Sequence, residues 1–316
     1  MTALRLLRLN DLYSRGFTPT RLATAVRAGR YIRVRAGVYA DGPAWATSRS
    51  ADRVVARARA LAEVSKVAPI FSSETAAGIH GLPLHRPSEH RVHVIAPESR
   101  PGRAEGVIRH RATLGAGEVV EVNGLRCTSL ERTLADVART AAYEQAVSVA
   151  DAVLRRLFVD HHTYQEDAAV SFCAEVLAVA RRSATGAARA ARVLDFADGR
   201  AELPGESISR IRLDEVGFAP PGLQVRVPGP GSQHYFVDFE LPEANAFGEF
   251  DGRIKYADGR LADGRTASDV FDREKQREDW IRGVTQRRLV RWGWADIASA
   301  AALAQRLAKF GVYPQS

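Results

Sequence analysis

Residues 16–40, GFTPTRLATAVRAGRYIRVRAGVYA, decide the fold of the first part of this chain. Gly16 is typical of a turn between two helices. Thr18 followed by Pro19 is typical of a helix start, with the threonine as N-cap and the proline in the first turn. Asn10 is a candidate cap for a shorter helix before the turn. The stretch therefore predicts a helix-turn-helix.

The second predicted helix has two chemically different faces. Leu22, Ala25 and Val26 recur at helical spacing and form an apolar stripe for a small core. The opposite face is polar and basic, and in a helix-turn-helix it is the face expected to enter a major groove. It carries Thr20, Arg21, Thr24 and Arg27.

A strand pattern follows this helix. In residues 30–40, RYIRVRAGVYA, basic and apolar side chains alternate, which predicts an extended strand that turns at Gly37. The arginines of this segment would reach phosphates beside the groove. We expect a short wing carrying Arg30, Arg33 and Arg35 after the helix-turn-helix.

The charge of the chain is concentrated at its start. Residues 1–60 hold twelve arginines against three acidic residues, whereas the rest is nearly neutral and the whole chain carries +8. Local density of positive charge is what a nucleic-acid surface requires. We therefore expect double-stranded DNA as a partner. The alternative is a solvated helical hairpin whose arginines bind nothing.

Residues 16–39 resemble the N-terminal winged helix of the AbiEi family, the antitoxins of type IV toxin-antitoxin systems. The shared pattern is a turn, a recognition helix, a glycine, a basic strand and a final Gly-Val-Tyr. The resemblance implies a transcriptional autoregulator that counters a nucleotidyltransferase-like toxin. One departure is that the helix usually preceding this motif is shortened here to about residues 3–9.

The middle of the chain resembles the same family more loosely, through SSETAAGIHGLPL, RVHVIAP, VIRHRATL and NGLRCTSLERTLADVART. Alanine-rich periodicity predicts helices at residues 53–65 and 143–158. Ser129 is a candidate cap for a helix in which Arg132 and Asp136, four residues apart, form an ion pair.

Two strand patterns near the end carry acidic residues. In HYFVDFEL, residues 234–241, Asp238 shares a face with Phe236 and Glu240, while AFGEFDG, residues 246–252, places Glu249 and Asp251 together. Adjacent strands would bring Asp238 beside Glu249. Carboxylates that converge repel one another unless a hard cation neutralises them, so Mg²⁺ or Mn²⁺ is the expected cofactor of an active site there.

Residues 200–297 resemble the very-short-patch-repair-like branch of the PD-(D/E)xK nucleases. The match rests on a helical Glu206, the strand acid Asp238, the GEFDG strand, the helix DREKQREDWIRGV and the strand RRLVRW. The resemblance implies that Asp238 and Glu249 are metal ligands, with Glu206 and Asp251 as further acids. The lysine of the E-x-K pattern is missing, and Lys255 is the candidate to replace it in polarising water. The alternative is a nuclease-like fold that no longer cuts.

Together these patterns predict an α/β protein in the broad sense, a multidomain α+β chain. We expect a winged helix at residues 1–45, an α+β middle domain at 46–199 and a restriction-endonuclease-like mixed sheet flanked by helices at 200–316. The favoured function is a DNA-binding antitoxin. The alternatives are a metal-dependent DNA endonuclease delivered by the winged helix, and a protein-interaction scaffold.

Two absences in the sequence narrow the class of protein. No apolar run approaches the roughly 18 residues that span a bilayer, so we expect a cytoplasmic protein without a membrane partner. Cys127 and Cys173 have no CxxC spacing, which disfavours a disulfide framework and a cysteine-based zinc site.

Overall fold

The computed structural model describes residues 4–88, 90–96, 105–252 and 267–315, with side chains from residue 273 onward in the last range. Across these ranges the chain is α+β, with helices and several mixed or antiparallel sheets. Among them, no helix combines the length and apolar character needed to cross a lipid bilayer.

The chain divides into two compact units. The first consists of residues 1–153 and 166–197, and the second of residues 154–165 and 198–316. The expected boundaries at residues 45 and 199 remain predictions.

The start of the first unit has two short helices and a three-stranded antiparallel sheet whose central strand is Val38–Asp41. The Thr18 hydroxyl accepts a hydrogen bond from the backbone N–H of Arg21 at 3.2 Å, which confirms the predicted cap. Gly37 adopts φ +79° at the turn between the last two strands. The elements are β1 (Leu6–Arg8), α1 (Leu9–Ser14), α2 (Pro19–Arg27), β2 (Tyr31–Arg35) and β3 (Val38–Asp41).

The prediction of a helix over residues 3–9 was wrong. Within the described residues this segment forms β1, which pairs with β3 and buries Leu7 opposite Tyr39. The helix α1 begins at Leu9 rather than after Asn10, and the Asp11 carboxylate accepts the backbone N–H of Arg8 at 3.3 Å. Pairing with a strand thirty residues away replaces the local helical preference.

The remainder of the first unit is built on a five-stranded mixed sheet in the order β6-β5-β4-β8-β7, with Phe71 and Cys127 fully buried in its core. The predicted helices at residues 53–65 and 143–158 are confirmed by helices at Ser50–Val64 and Tyr143–Phe158. The elements are α3 (Gly42–Thr47), α4 (Ser50–Val64), β4 (Ile70–Phe71), α5 (Ser73–Ile79), β5 (Val92–Ala96), β6 (Val107–Arg111), β7 (Val119–Val122), β8 (Leu125–Thr128), α6 (Leu130–Thr140) and α7 (Tyr143–Phe158).

Local predictions inside this region also hold. The Ser129 hydroxyl accepts the backbone N–H of Arg132 at 3.3 Å and caps α6. Arg132 Nε lies 3.0 Å from an Asp136 carboxylate oxygen, and both side chains are buried, so the ion pair fixes this helix internally. The first unit ends with two helices, α8 (Glu166–Arg181) and α9 (Ala187–Phe196), whereas the short hairpin before them, β9 (Val159–Asp160) and β10 (Thr163–Tyr164), belongs to the second unit.

The second unit contains a four-stranded mixed sheet in the order β11-β12-β13-β14. The first three strands are antiparallel neighbours, and β14 runs parallel to β13. Trp292 is buried, stacks on Phe239 at 5.3 Å between ring centroids and donates its indole N–H to Ser209 at 2.8 Å. The elements are α10 (Pro204–Val216), β11 (Gly222–Pro228), β12 (His234–Leu241), β13 (Ala246–Phe250), α11 (Ala267–Thr285), β14 (Arg288–Trp292) and α12 (Ala300–Ala308).

Candidate nucleic-acid interface and acidic pocket

Helix α2 presents its polar face to solvent. Leu22 is 4% exposed and packs with Leu12 of α1 and Tyr39 of β3, and Ala25 is fully buried. The four residues of this helix that were predicted to contact DNA are all exposed. They are Thr20, Arg21, Thr24 and Arg27.

The two arginines of α2 make only weak contacts with their own helix and the turn before it. Arg21 donates to the Gly16 carbonyl at 3.4 Å, and Arg27 donates to the Thr24 hydroxyl at 3.3 Å. Neither arginine forms an ion pair with an acidic side chain in the part of the chain that the structure describes. Their positive charge is therefore uncompensated and faces water.

The β2–β3 hairpin extends this basic surface. Arg30 and Arg33 are exposed and Arg35 is half-buried. A register shift between Arg33 and Arg35 bends β2 where it pairs with β3. By contrast, the nearby Arg8 is paired with Glu63 at 3.3 Å. The predicted DNA contacts thus lie on one small module, on its helix and its hairpin.

A second candidate site lies in the sheet of the second unit. Phe239 pairs with Gly248, so Asp238 and Glu249 flank this pair on adjacent strands, as the sequence predicted. One Asp238 oxygen accepts the backbone N–H of Phe250 at 2.8 Å. The pocket here has a volume of about 240 Å³ and is lined by Asp238, Glu249, Phe250, Asp251, Glu274, Arg277 and Arg291.

Glu206 lies beside this pocket in the first turn of α10 and is only 4% exposed. Its carboxylate accepts the backbone N–H of Glu202 at 2.8 Å and the Gln224 amide at 3.3 Å. The same amide also donates to Asp238, at 3.4 Å. Burial, followed by repulsion from the Asp238 carboxylate, raises the pKa of Glu206, and burial likewise raises the pKa of Asp238.

Two arginines that were not among the predicted site residues neutralise Glu249. Arg277 of α11 lies 2.7 Å from one carboxylate oxygen, and Arg291 of β14 lies 2.8 Å from the other. Glu274 forms further ion pairs with both arginines. Glu274 and Arg277 are three residues apart on one helix, a spacing from which a local pair could have been predicted, but nothing in the sequence places them at this strand.

The expected metal site fits these residues only in part. Asp238 and Asp251 line the pocket with oxygen donors that suit a hard cation. Glu249, however, is already held by two guanidinium groups. Within the described residues, no group of three or more His, Cys, Asp or Glu side chains is arranged to hold a metal ion.

Two further residues were predicted for this site, Asp251 and Lys255. Asp251 follows the last residue of β13 and lines the same pocket as Asp238 and Glu249, and its backbone N–H donates to the Trp292 carbonyl at 2.8 Å. Lys255 lies outside the described residues.

Comparison with known proteins adds little to this geometry. No family model matches the chain. Two relatives, "Uncharacterized protein MT2308" of Mycobacterium tuberculosis strain CDC 1551 / Oshkosh and "Uncharacterized protein Rv2248" of strain ATCC 25618 / H37Rv, are each 27% identical over 234 residues, or 74% of this chain and 78% of the relative. The crystal structure of RV2827C protein from Mycobacterium tuberculosis aligns with TM-score 0.35 and 14% identity over 71% of this chain and 84% of that one.

Proposed function

We propose that this chain is a DNA-binding regulator that contacts duplex DNA through α2 and the β2–β3 hairpin. The observation that carries the proposal is the exposure of Arg21, Arg27, Arg30 and Arg33 on one module without ion-pair partners among the described residues. In the proposed complex, Arg21, Thr24 and Arg27 meet base edges or nearby phosphates, and the hairpin arginines hold the backbone.

Salt dependence tests this proposal on the full chain. The affinity for a duplex carrying the promoter of its own gene should fall steeply with salt, since each neutralised phosphate contributes a slope of about 0.9 in log K against log salt. The Arg21→Ala/Arg27→Ala variant should bind more weakly, with a slope shallower by about 2. The matched control is Arg126→Ala/Arg181→Ala, which removes the same charge from exposed positions elsewhere in the first unit.

The outcomes separate clearly. Equal affinity for wild type and the α2 variant contradicts the proposal. If the α2 variant and the control lose the same affinity for the duplex, binding depends on net charge alone and the assignment to α2 is contradicted.

The resemblance to AbiEi antitoxins supplies the biological setting of the proposal. In this setting, the protein represses its own promoter and counters a nucleotidyltransferase-like toxin. The neighbouring gene is the place to test this: its product should arrest growth when expressed alone, and co-expression of this chain should restore growth. A neighbour that is harmless alone contradicts the antitoxin role and leaves DNA binding intact.

A second candidate function is a metal-dependent DNA endonuclease. The observation that favours it is that Asp238, Glu249 and Asp251 line one pocket, with the buried Glu206 beside it. Supercoiled plasmid incubated with the protein and Mg²⁺ or Mn²⁺ provides the assay. Nicking that disappears in Asp238→Asn supports the nuclease, whereas nicking that persists, or is absent in wild type, contradicts it.

A further inference from the structure

A basic groove lies in the first unit beside the wing. Its volume is about 650 Å³, within the range of about 300–1,000 Å³ typical of ligand sites. One wall is the strand β2, and the other is formed by the ends of β5 and β6, which belong to the five-stranded sheet. The lining residues are Arg33, Val34, Arg35, Ala36, Arg57, His90, Arg91, Val92, Glu105 and Gly106. We call this feature the Arg91 groove.

Positive charge dominates the Arg91 groove, because its lining contains four arginines and one glutamate. Small-molecule sites are instead lined mainly by apolar and aromatic side chains. Guanidinium groups match phosphate oxygens with paired N–H donors. The chemistry of the groove therefore selects a ligand that carries phosphate groups.

One of these arginines is held in place before any ligand binds. Arg57 of α4 donates to the Val34 carbonyl of β2 at 3.4 Å, and its guanidinium lies 5.1 Å from the centre of the Trp45 ring. A guanidinium positioned in this way loses less conformational freedom on binding. Arg91, at the other wall, is exposed and precedes β5.

We propose that the Arg91 groove binds the phosphodiester backbone of the same duplex that α2 contacts, so that the footprint of this protein extends past the wing onto the five-stranded sheet. This inference rests on the proposed DNA-binding function. Arg33 and Arg35 belong both to the wing and to the groove, which makes the two surfaces continuous. A duplex carries about one charge per 1.7 Å of its axis, so one that passes α2 presents further phosphates along this path.

Arg91→Ala tests the inference because this exposed side chain lines the groove and lies outside the winged helix. The matched control is Arg126→Ala, an exposed arginine on β8 of the same sheet that does not line the groove. Thermal unfolding should show both variants to be as stable as wild type. Fluorescence anisotropy then gives affinities for two duplexes of about 12 and 30 base pairs, with the own-promoter sequence centred on the α2 footprint.

On the longer duplex, Arg91→Ala should bind about fivefold more weakly than wild type, with a salt slope shallower by about 1. On the shorter duplex it should match wild type, and Arg126→Ala should match wild type on both. Loss of affinity in the α2 variant but not in Arg91→Ala overturns this inference and leaves the proposed function standing.

The remaining outcomes are equally distinct. If the α2 variant binds as wild type while Arg91→Ala does not, the proposed function fails and the groove binds DNA separately from α2, which overturns the shared footprint. If wild type does not bind the longer duplex, both proposals fail. If ADP binds wild type but not Arg91→Ala, and duplex affinity is the same in both proteins, the groove is a site for a free nucleotide and the DNA assignment is overturned.

Discussion

Glu249 and Arg291 lie in register on the parallel strands β13 and β14, with 2.8 Å between the carboxylate and the guanidinium. The Glu249 side chain is only 9% exposed, so it has lost most of its water and depends on its arginines for compensation. Arg277 supplies the second contact, at 2.7 Å. The pocket is therefore a compensated cluster of both charges rather than a purely acidic one.

Removing Arg291 should destabilise the second unit. Arg291→Met should lower the free energy of unfolding by about 2 kcal/mol, less than the roughly 3–5 kcal/mol for a buried charge that loses its only partner, because Arg277 remains. Three of the four tryptophans, at positions 280, 292 and 294, belong to this unit, so urea titration followed by tryptophan fluorescence reports its unfolding.

Arg288→Met provides the control for this prediction, since Arg288 is exposed on the same strand. Adding Glu249→Gln to Arg291→Met should recover part of the loss, because the uncompensated charge is then gone. Equal effects of Arg291→Met and Arg288→Met would show that the buried pair contributes no more than a surface contact.

Glu206 should make the stability of the second unit depend on pH. Its pKa is raised from an ordinary value of 4.5 to about 8, so the folded state holds this proton more tightly than the unfolded state does. The resulting stabilisation is complete below 4.5 and is lost as pH rises through about 8. Glu206→Gln should flatten the fall in urea midpoint between pH 5 and pH 8. Asp214→Asn, at an exposed position on the same helix, should leave the fall unchanged, and a Glu206→Gln profile as steep as that of wild type would refute the assignment.

Gly248 should be irreplaceable in the centre of the sheet. A Cβ atom at this position would lie 2.1 Å and 2.5 Å from carbons of the buried Trp292 ring. Gly248→Ala should therefore cost at least the roughly 1–3 kcal/mol typical of overpacking and should shift the tryptophan emission. Gly252→Ala is the control, since its Cβ would meet neighbours at 3.5 Å or more. An unchanged emission spectrum in Gly248→Ala would mean that the ring is not packed against this glycine.

The sequence predicted what depends on neighbours along the chain. The cap at Thr18 and the strand alternation around Asp238 follow from local rules, and the structure confirms both. Even the approach of Asp238 to Glu249 follows from a short turn between adjacent strands. These features need no knowledge of distant packing.

What the sequence left undetermined depends on contacts between distant segments. β1 forms only because β3 pairs with it about thirty residues later. The compensation of Glu249 comes from Arg277 and Arg291, 28 and 42 residues further on, across a helix and a parallel strand. The Arg91 groove likewise combines β2 with strands of another sheet. Charge periodicity cannot indicate which helix lies over which strand.

The Thr18 cap allows the stability of α2 to be separated from its contacts with DNA. Thr18→Ala removes the acceptor for the Arg21 N–H and should cost about 1 kcal/mol, while Thr18→Gly should cost only a few tenths. The rate of amide hydrogen exchange in α2 should therefore rise more in Thr18→Ala than in Thr18→Gly. Thr20→Ala changes an exposed side chain on the same turn, so exchange should stay at the wild-type level while duplex affinity falls. If Thr20→Ala speeds exchange as much as Thr18→Ala does, or if Thr18→Gly is as damaging as Thr18→Ala, the stability of α2 does not depend on this cap.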